Sequence, residues 1–278
     1  MLKIVAAFDG LKFSLSTQQY AIYLAKKLDA FLTIVFLDDK TYTSYKIYDL
    51  VLADGVSESK LKQAQNEDQI NRQYAAQQIN KICIKEGIRF TIHHDQNYAI
   101  NELLHESVFS DLLIINYNEK FSHHEEEFPS KFISNLLSES SCPILLVPNS
   151  FSPIDKNIFF YDGSPTSVYA IKMFAQLFPF FAQMPLDVVA INSSQNGNYL
   201  YDNLLIKELI NRHFHYPTFT VLKGSPEIEA IDFLKIEKKN AMVILGSYGR
   251  TKLSRWFKSS FVEAIVKEFS IPIFLSHH

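Results

Sequence analysis

Leu245-Gly246-Ser247-Tyr248-Gly249-Arg250 and the later Ser259-Ser260-Phe261 carry residue types suited to holding an anion. An apolar run, Ala241 to Leu245, stops at Gly246, and a helical pattern resumes near Ser259. A strand that breaks into a glycine-containing turn and feeds a helix start presents free backbone N–H groups, and the helix dipole favours negative charge there. Glycine lets the backbone come close to a ligand. Arg250, Lys252 and Arg255 add positive charge to the same segment. The chemistry on offer is capture of a phosphate rather than bond breaking. The sequence has no nucleophile elbow, no HExxH and no lysine of the Walker type after a glycine loop. A site with neither a positioned base nor a metal pair reads as a binding site, with slow hydrolysis at most.

The spacing Gly-x2-Gly-x9-Gly-Ser/Thr after a late strand resembles the nucleotide loop of the universal stress protein family. Gly246 and Gly249 match its first two glycines, Ser259 stands at the third, and Ser260 matches the Ser/Thr. Ser259 puts a Cβ where the family leaves room for phosphate, although its backbone N–H and that of Ser260 remain. The resemblance implies that an aspartate after the first strand lies near adenine and ribose. It implies further that the residue ending the second strand packs on the base, and that the glycine loop holds phosphates. Carried onto this chain, these are Asp162 with Gly163 and Ser164, then Ile191, then Leu245, Gly246, Gly249, Arg250, Ser259, Ser260 and Phe261. The implied ligand is ATP or another adenine nucleotide, with magnesium only as its companion. No catalytic residue and no protein-held metal is assigned. Gly224-Ser225-Pro226 matches the family's Gly-x-Pro helix opening.

The loop has a weaker counterpart earlier in the chain. Asp9 and Leu37 match a vestigial site, but Asn116 and Glu119 stand at the two glycine positions. His123-His124-Glu125-Glu126-Glu127 follows and places carboxylates where phosphates would go, which is repulsive. The expectation is that the first copy has lost triphosphate binding. The histidines of this run are adjacent and cannot easily face one ion together. His93 and His94 end a strand and should point to opposite faces.

The elements that must position these residues repeat. Strands are expected at Leu2–Phe8, Phe31–Leu37, Ile88–His93, Leu112–Ile115 and Pro143–Val147, each a short apolar run. Helices fall between them: one capped by Ser14 or Ser16, then Leu61–Glu86 stopped by Gly87, then Asn97–Phe109 and Lys131–Ser140. The order then recurs. Strands at Asn157–Tyr161, Leu186–Ile191, Thr218–Leu222, Ala241–Leu245 and Pro272–Leu275 alternate with helices at Ser167–Phe181, Tyr199–His213, after Pro226, and Phe257–Phe269. Pro179 should end the first of these early. Asn157-Ile158-Phe159-Phe160-Tyr161-Asp162-Gly163 echoes Lys3 to Gly10, and Cys142-Pro143-Ile144-Leu145-Leu146 echoes Ile271-Pro272-Ile273-Phe274-Leu275. Alternating strands and helices give an α/β fold with doubly wound parallel sheets, whose ligands sit past the carboxyl ends of the strands. The expected organisation is two tandem universal-stress-protein-like domains, residues 1–150 and 151–278. Family members pair through their last strands. Pro143–Val147 and Pro272–Leu275 would be open apolar edges unless covered, so the two copies are expected to pair as an intramolecular pseudo-dimer. Further homodimerisation is compatible with this.

Composition narrows the function classes. A length of 278 residues suits about two domains, and a net charge of -3 gives no electrostatic case for nucleic acid or an acidic membrane. Asp9 and Gly10 interrupt the apolar start too soon for a signal peptide or a membrane span. Cys83 and Cys142 lie in apolar contexts without metal-type spacing, which fits buried thiols in a reducing cytoplasm. The favoured reading is a cytoplasmic, stress-associated nucleotide-binding regulatory module. The alternatives are an interaction scaffold whose sites have decayed and, less favoured, a slow ATPase.

Overall fold

The computed structural model describes residues 1–37, 47, 51, 58–95, 97–122, 126–192, 199–237, 240–246 and 259–276. The chain divides into two compact units, Met1–Leu136 and Leu137–His278. The first begins β1 (Lys3–Asp9), α1 (Leu15–Leu28), β2 (Phe31–Leu37), α2 (Glu58–Lys85), β3 (Phe90–Asp95), α3 (Ala99–Val108) and β4 (Leu112–Asn116). Helix α4 (Lys131–Glu139) contains the division, and β5 (Ile144–Val147) is gathered with the second unit. The second unit continues β6 (Lys156–Phe160), α5 (Pro165–Leu177), a 3-10 turn (Pro179–Gln183), β7 (Pro185–Asn192), α6 (Asn203–His213), β8 (Tyr216–Lys223), α7 (Pro226–Glu237), β9 (Ala241–Gly246), α8 (Ser259–Glu268) and β10 (Ile273–Ser276).

In the first unit the strand order is β3-β2-β1-β4, all parallel. In the second the order is β8-β7-β6-β9-β10-β5, parallel except for β10 against β5. The four strands of the first unit and β6–β9 of the second are therefore wound alike. The chain steps twice to one side of the first strand, then returns to its other side. That reversal is the switch point of a doubly wound sheet. The α/β class expected from the sequence is the class observed.

Local sequence explains the elements. Strands β1, β2, β4, β6 and β9 are buried along nearly their whole length, which is why they read as continuous apolar runs rather than alternating ones. Helix α1 starts where the Ser14 hydroxyl accepts from the Thr17 N–H, and its buried stripe is Tyr20, Ala21, Leu24 and Ala25. Helix α5 ends at Leu177 and a 3-10 turn follows from Pro179, whose ring cannot continue a helix. β8 holds Pro217 opposite Leu186, and it tolerates that proline because it pairs on one side only, with β7. Its half-exposed pattern made it the least distinct strand in the sequence.

The second unit's core is a phenylalanine cluster. Phe174 lies 5.0 Å from Phe178, 6.0 Å from Phe181 and 5.3 Å from Phe274, ring centre to ring centre. Opposite the candidate site, at the starts of β6 and β7, the Lys156 ammonium bridges the Asp187 carboxylate at 2.5 Å and that of Glu237 at 2.6 Å. The Thr218 hydroxyl donates to the same Asp187. Both cysteines are buried thiols, and burial pushes the Cys83 thiol up to about 11. No helix among the described residues is long and apolar enough to cross a membrane.

Candidate functional site

The candidate site lies at the carboxyl ends of β6, β7 and β9, around the second unit's switch point. Strand β6 sits between the other two. Asp162 follows β6 and is buried. Its carboxylate accepts from the Ser164 N–H at 2.9 Å and from the Ser164 hydroxyl at 2.5 Å. Ser164 in turn caps α5 by accepting from the Ser167 N–H at 3.2 Å. One aspartate thus shapes the turn and sets the helix that follows it. Asp9 does the same in the first unit, accepting from the Leu11 N–H at 2.7 Å just before the Ser14 cap of α1. Both aspartates therefore have a structural task that is independent of any ligand.

Gly163 turns with φ +77, a backbone region closed to most side chains, and a Cβ there would meet Tyr201 Cβ at 2.8 Å. Tyr201 therefore covers the turn after β6 and borders the site. Sequence reasoning missed it, because an aromatic residue before a helix gives no sign of its spatial neighbour. Tyr201 packs edge-on to Tyr199, and the Tyr199 carbonyl accepts from the Asn192 amide at 2.7 Å. Asn192 closes β7 directly after Ile191, and its own carbonyl accepts from the Gly224 N–H at 2.9 Å. The ends of β7 and β8 are thereby tied together beside Ile191, which is buried. Tyr161, behind Asp162, is buried too. Burial first, then the carboxylates of Asp202 and Asp162, push its phenol up to about 12, so it stays a neutral hydroxyl.

Leu245 and Gly246 end β9, both buried. The glycine has a packing reason of its own. A Cβ at Gly246 would lie 2.6 Å from the Ser167 nitrogen and 2.7 Å from the Thr166 carbonyl carbon and oxygen. The first turn of α5 crosses directly over it. Phe261, in α8, is a core residue whose ring packs edge-on to Phe160 at 5.4 Å. Asp162, Gly163, Ser164, Ile191, Leu245 and Gly246 are thus brought to one end of three adjacent strands. The phenylalanine ring lies in the core instead. Gly249, Arg250, Lys252 and Arg255 lie outside the described residues, and Ser259 and Ser260 are described only as the first residues of α8.

The corresponding corner of the first unit is built differently. Leu37 ends β2, fully buried. Asn116, at the end of β4, reaches the Ser14 cap, its amide 3.5 Å from the hydroxyl. Its side-chain oxygen also accepts from the Asn118 N–H at 2.8 Å. Glu119 then turns inward and is buried. Burial, and the Asp9 carboxyl nearby, push the Glu119 carboxyl up to about 8, so it is largely uncharged at neutral pH. Burial likewise raises Asp9, while the Leu11 N–H, Arg72 and Lys12 pull it back. The backbone carbonyl of Glu119 accepts from the Ser130 hydroxyl at 2.6 Å, and that hydroxyl accepts from the Ile133 N–H at 3.2 Å. The loop after β4 is therefore pinned to the first turn of α4 with a carboxyl inside it. Of the acidic run, Glu126 caps α4 by accepting from the Lys131 N–H at 2.7 Å, and residues 123–125 lie outside the described residues.

The histidine pair at the end of β3 is structural. His93 meets Glu106 at 2.6 Å, and His94 stacks on Phe36 at 5.3 Å. Among the described residues no cluster of His, Cys, Asp and Glu could hold a metal ion.

No family model matches the chain. It is 21% identical over 287 residues to the universal stress protein Slr1230 of Synechocystis, a likeness covering 98% of this chain and 99% of that one. Among solved structures it is similar to a universal stress protein from Archaeoglobus fulgidus. The TM-score is 0.69 and the identity 14%, and the match covers 99% of this chain and 98% of that one. A Pseudomonas aeruginosa protein described as a universal stress protein follows at TM-score 0.61 and 10% identity, covering 100% and 93%. These structural likenesses establish the α/β fold along the whole chain.

Proposed function

We propose that the chain is a tandem universal stress protein whose second copy binds an adenine nucleotide, and that it acts as a stress-associated regulatory module rather than as an enzyme. The observation that carries this reading is the convergence of Asp162–Ser164, Ile191 and Leu245–Gly246 at one switch point, in a chain similar to universal stress proteins from end to end. Open α/β sheets take ligands at that place. The site fits the group in outline. Ile191 would back the base, the turn of Asp162 and Gly163 would face the sugar, and the start of α8 would face the phosphates. Arg250 is assigned to the phosphates by charge alone. Any magnesium would arrive with the nucleotide. Cytoplasmic localisation is part of the same proposal, and so is pairing of the two copies as a pseudo-dimer.

The test begins with freshly purified protein, denatured so that any released nucleotide is identified by mass spectrometry. A thermal melt with and without millimolar ATP follows. Released adenine nucleotide, or an ATP-dependent rise in melting temperature that Arg250→Ala diminishes, is the expected result. No released nucleotide together with a melt indifferent to ATP would overturn the reading. The second reading, a scaffold with decayed sites, draws on one specific observation. Packing against Thr166 and Ser167 alone is sufficient reason for Gly246 to be glycine.

A further inference from the structure

The second unit's switch point has a border that the strand ends do not supply. It is the segment leading into α6, Tyr199 to Asp202. Its start is tied to the end of β7, where the Asn192 amide donates to the Tyr199 carbonyl at 2.7 Å. Its middle is pressed onto the turn after β6. A Cβ at Gly163 would meet Tyr201 Cβ at 2.8 Å and Cγ at 2.9 Å. The Tyr201 ring meets the half-exposed Tyr199 edge-on, their centres 5.1 Å apart. The segment therefore spans the ends of β6 and β7, the place where open α/β sheets take ligands.

Asp202 closes this segment. It is the N-cap of α6, in left-handed backbone with φ 43 and ψ 44, and its side chain makes no capping hydrogen bond. Aspartate at that position ordinarily accepts from the first turn of its helix. This carboxylate is exposed, and its charge reaches the Tyr161 phenol at the end of β6, as does that of Asp162. Asp162 has less to offer a ligand, because one of its oxygens already accepts from both the N–H and the hydroxyl of Ser164. An ionised carboxylate only accepts, through two oxygens side by side. It suits two adjacent hydroxyls and repels phosphate. Strand β9, which Arg250, Lys252 and Arg255 follow in sequence, lies on the other side of β6 from β7. The β6–β7 side is thus the acidic one, fitted to the neutral sugar of a nucleotide.

We propose that Asp202 is the sugar-reading residue of the second unit, its carboxylate accepting from both ribose hydroxyls while Tyr201 holds the segment against Gly163. This rests on the nucleotide reading of that site and adds to it a selection for ribonucleotides.

Titration calorimetry on the full chain compares ATP with its dideoxy analogue, which lacks both ribose hydroxyls. Wild type should bind ATP about tenfold more tightly than the analogue, the scale of one hydrogen bond to a charged group. Asp202→Gly keeps the backbone, since glycine adopts φ 43 freely. That variant should weaken ATP by about tenfold and leave the analogue unchanged, so that the preference disappears. Equal binding of the two ligands to wild type would overturn the assignment and leave the nucleotide site standing. So would a preference that survives in folded Asp202→Gly protein, or an equal weakening of both ligands, which would mark Asp202 as structural. No binding of either ligand to wild type would overturn the nucleotide reading, and this assignment with it.

Discussion

Glu119 stands at a glycine position of the resembled loop, and its chemistry is set by burial. Its carboxyl is raised to about 8, with Asp9 close enough to add to the rise and Lys12 opposing it. The sequence reading placed the repulsive carboxylates in the run that follows, His123–Glu127; at Glu119 itself the folded chain holds a carboxyl that is mostly protonated at neutral pH. A buried, desolvated carboxyl therefore stands at this corner of the first unit. The consequence for stability has a definite sign. The unfolded chain ionises Glu119 near the ordinary glutamate value, whereas the folded chain keeps the proton until about pH 8. The folded state binds more protons between those values, so stability falls as pH rises through that window, and the full penalty is present above it. Glu119→Gln removes that penalty. The variant should be more stable than wild type by about 1–3 kcal/mol at pH 8.5 and nearly equal to it at pH 4.5, as read by urea unfolding. An equal difference at both pH values would mean that Glu119 titrates normally. The Glu119–Asp9 meeting was not legible in the sequence, since it depends on β1 and β4 lying side by side.

Element by element, the sequence was more open. Strands buried on both faces announce themselves as apolar runs, and β1, β2, β4 and β9 fall within a residue or so of their expected ends. Helix ends shifted where a local cap outweighed the apolar pattern. Helix α6 begins at Asn203 because Asp202 turns with φ 43, not at the aromatic residues before it. Helix α5 begins at Pro165 because Ser164 caps it. That cap matters for the site, since it drives the first turn of α5 over Gly246. Gly246→Ala should therefore destabilise the second unit by about 2–4 kcal/mol, because the obstacle is backbone at Thr166 and Ser167 and cannot rotate away. A denaturant melt checks this, and a loss under about 0.5 kcal/mol, the scale of a neutral surface change, would show that α5 can lift. The same geometry makes glycine replacements at this position poor reporters of ligand binding. Loss of a bound nucleotide there would follow from loss of the fold. Arg250→Ala removes charge without that confusion.

At the scale of the molecule, two units with the same four-strand winding carry different chemistry at matching corners. The order β3-β2-β1-β4 matches β8-β7-β6-β9, and the Asx turns of Asp9 and Asp162 match as well. In the residues directly after the fourth strand the likeness ends. The first unit spends that loop on Asn116 and a buried Glu119, pinned through Ser130. The second leaves a glycine at the strand end, followed by the basic residues Arg250, Lys252 and Arg255. An anion approaching the first corner would have to displace a buried carboxyl and would raise its affinity for protons still further. At the second, the proposed nucleotide would be met by the start of α8, with the basic residues near it in sequence. Titration calorimetry with ATP at neutral pH should therefore give one site per chain, and Glu119→Gln should not create a second, because the Asn116 contact and the Ser130 pin remain. Two equivalent sites in wild type would show that the first corner opens and would remove the asymmetry between the copies. No heat at all, at millimolar ATP, would leave the shared winding intact as a fold but detach it from nucleotide binding.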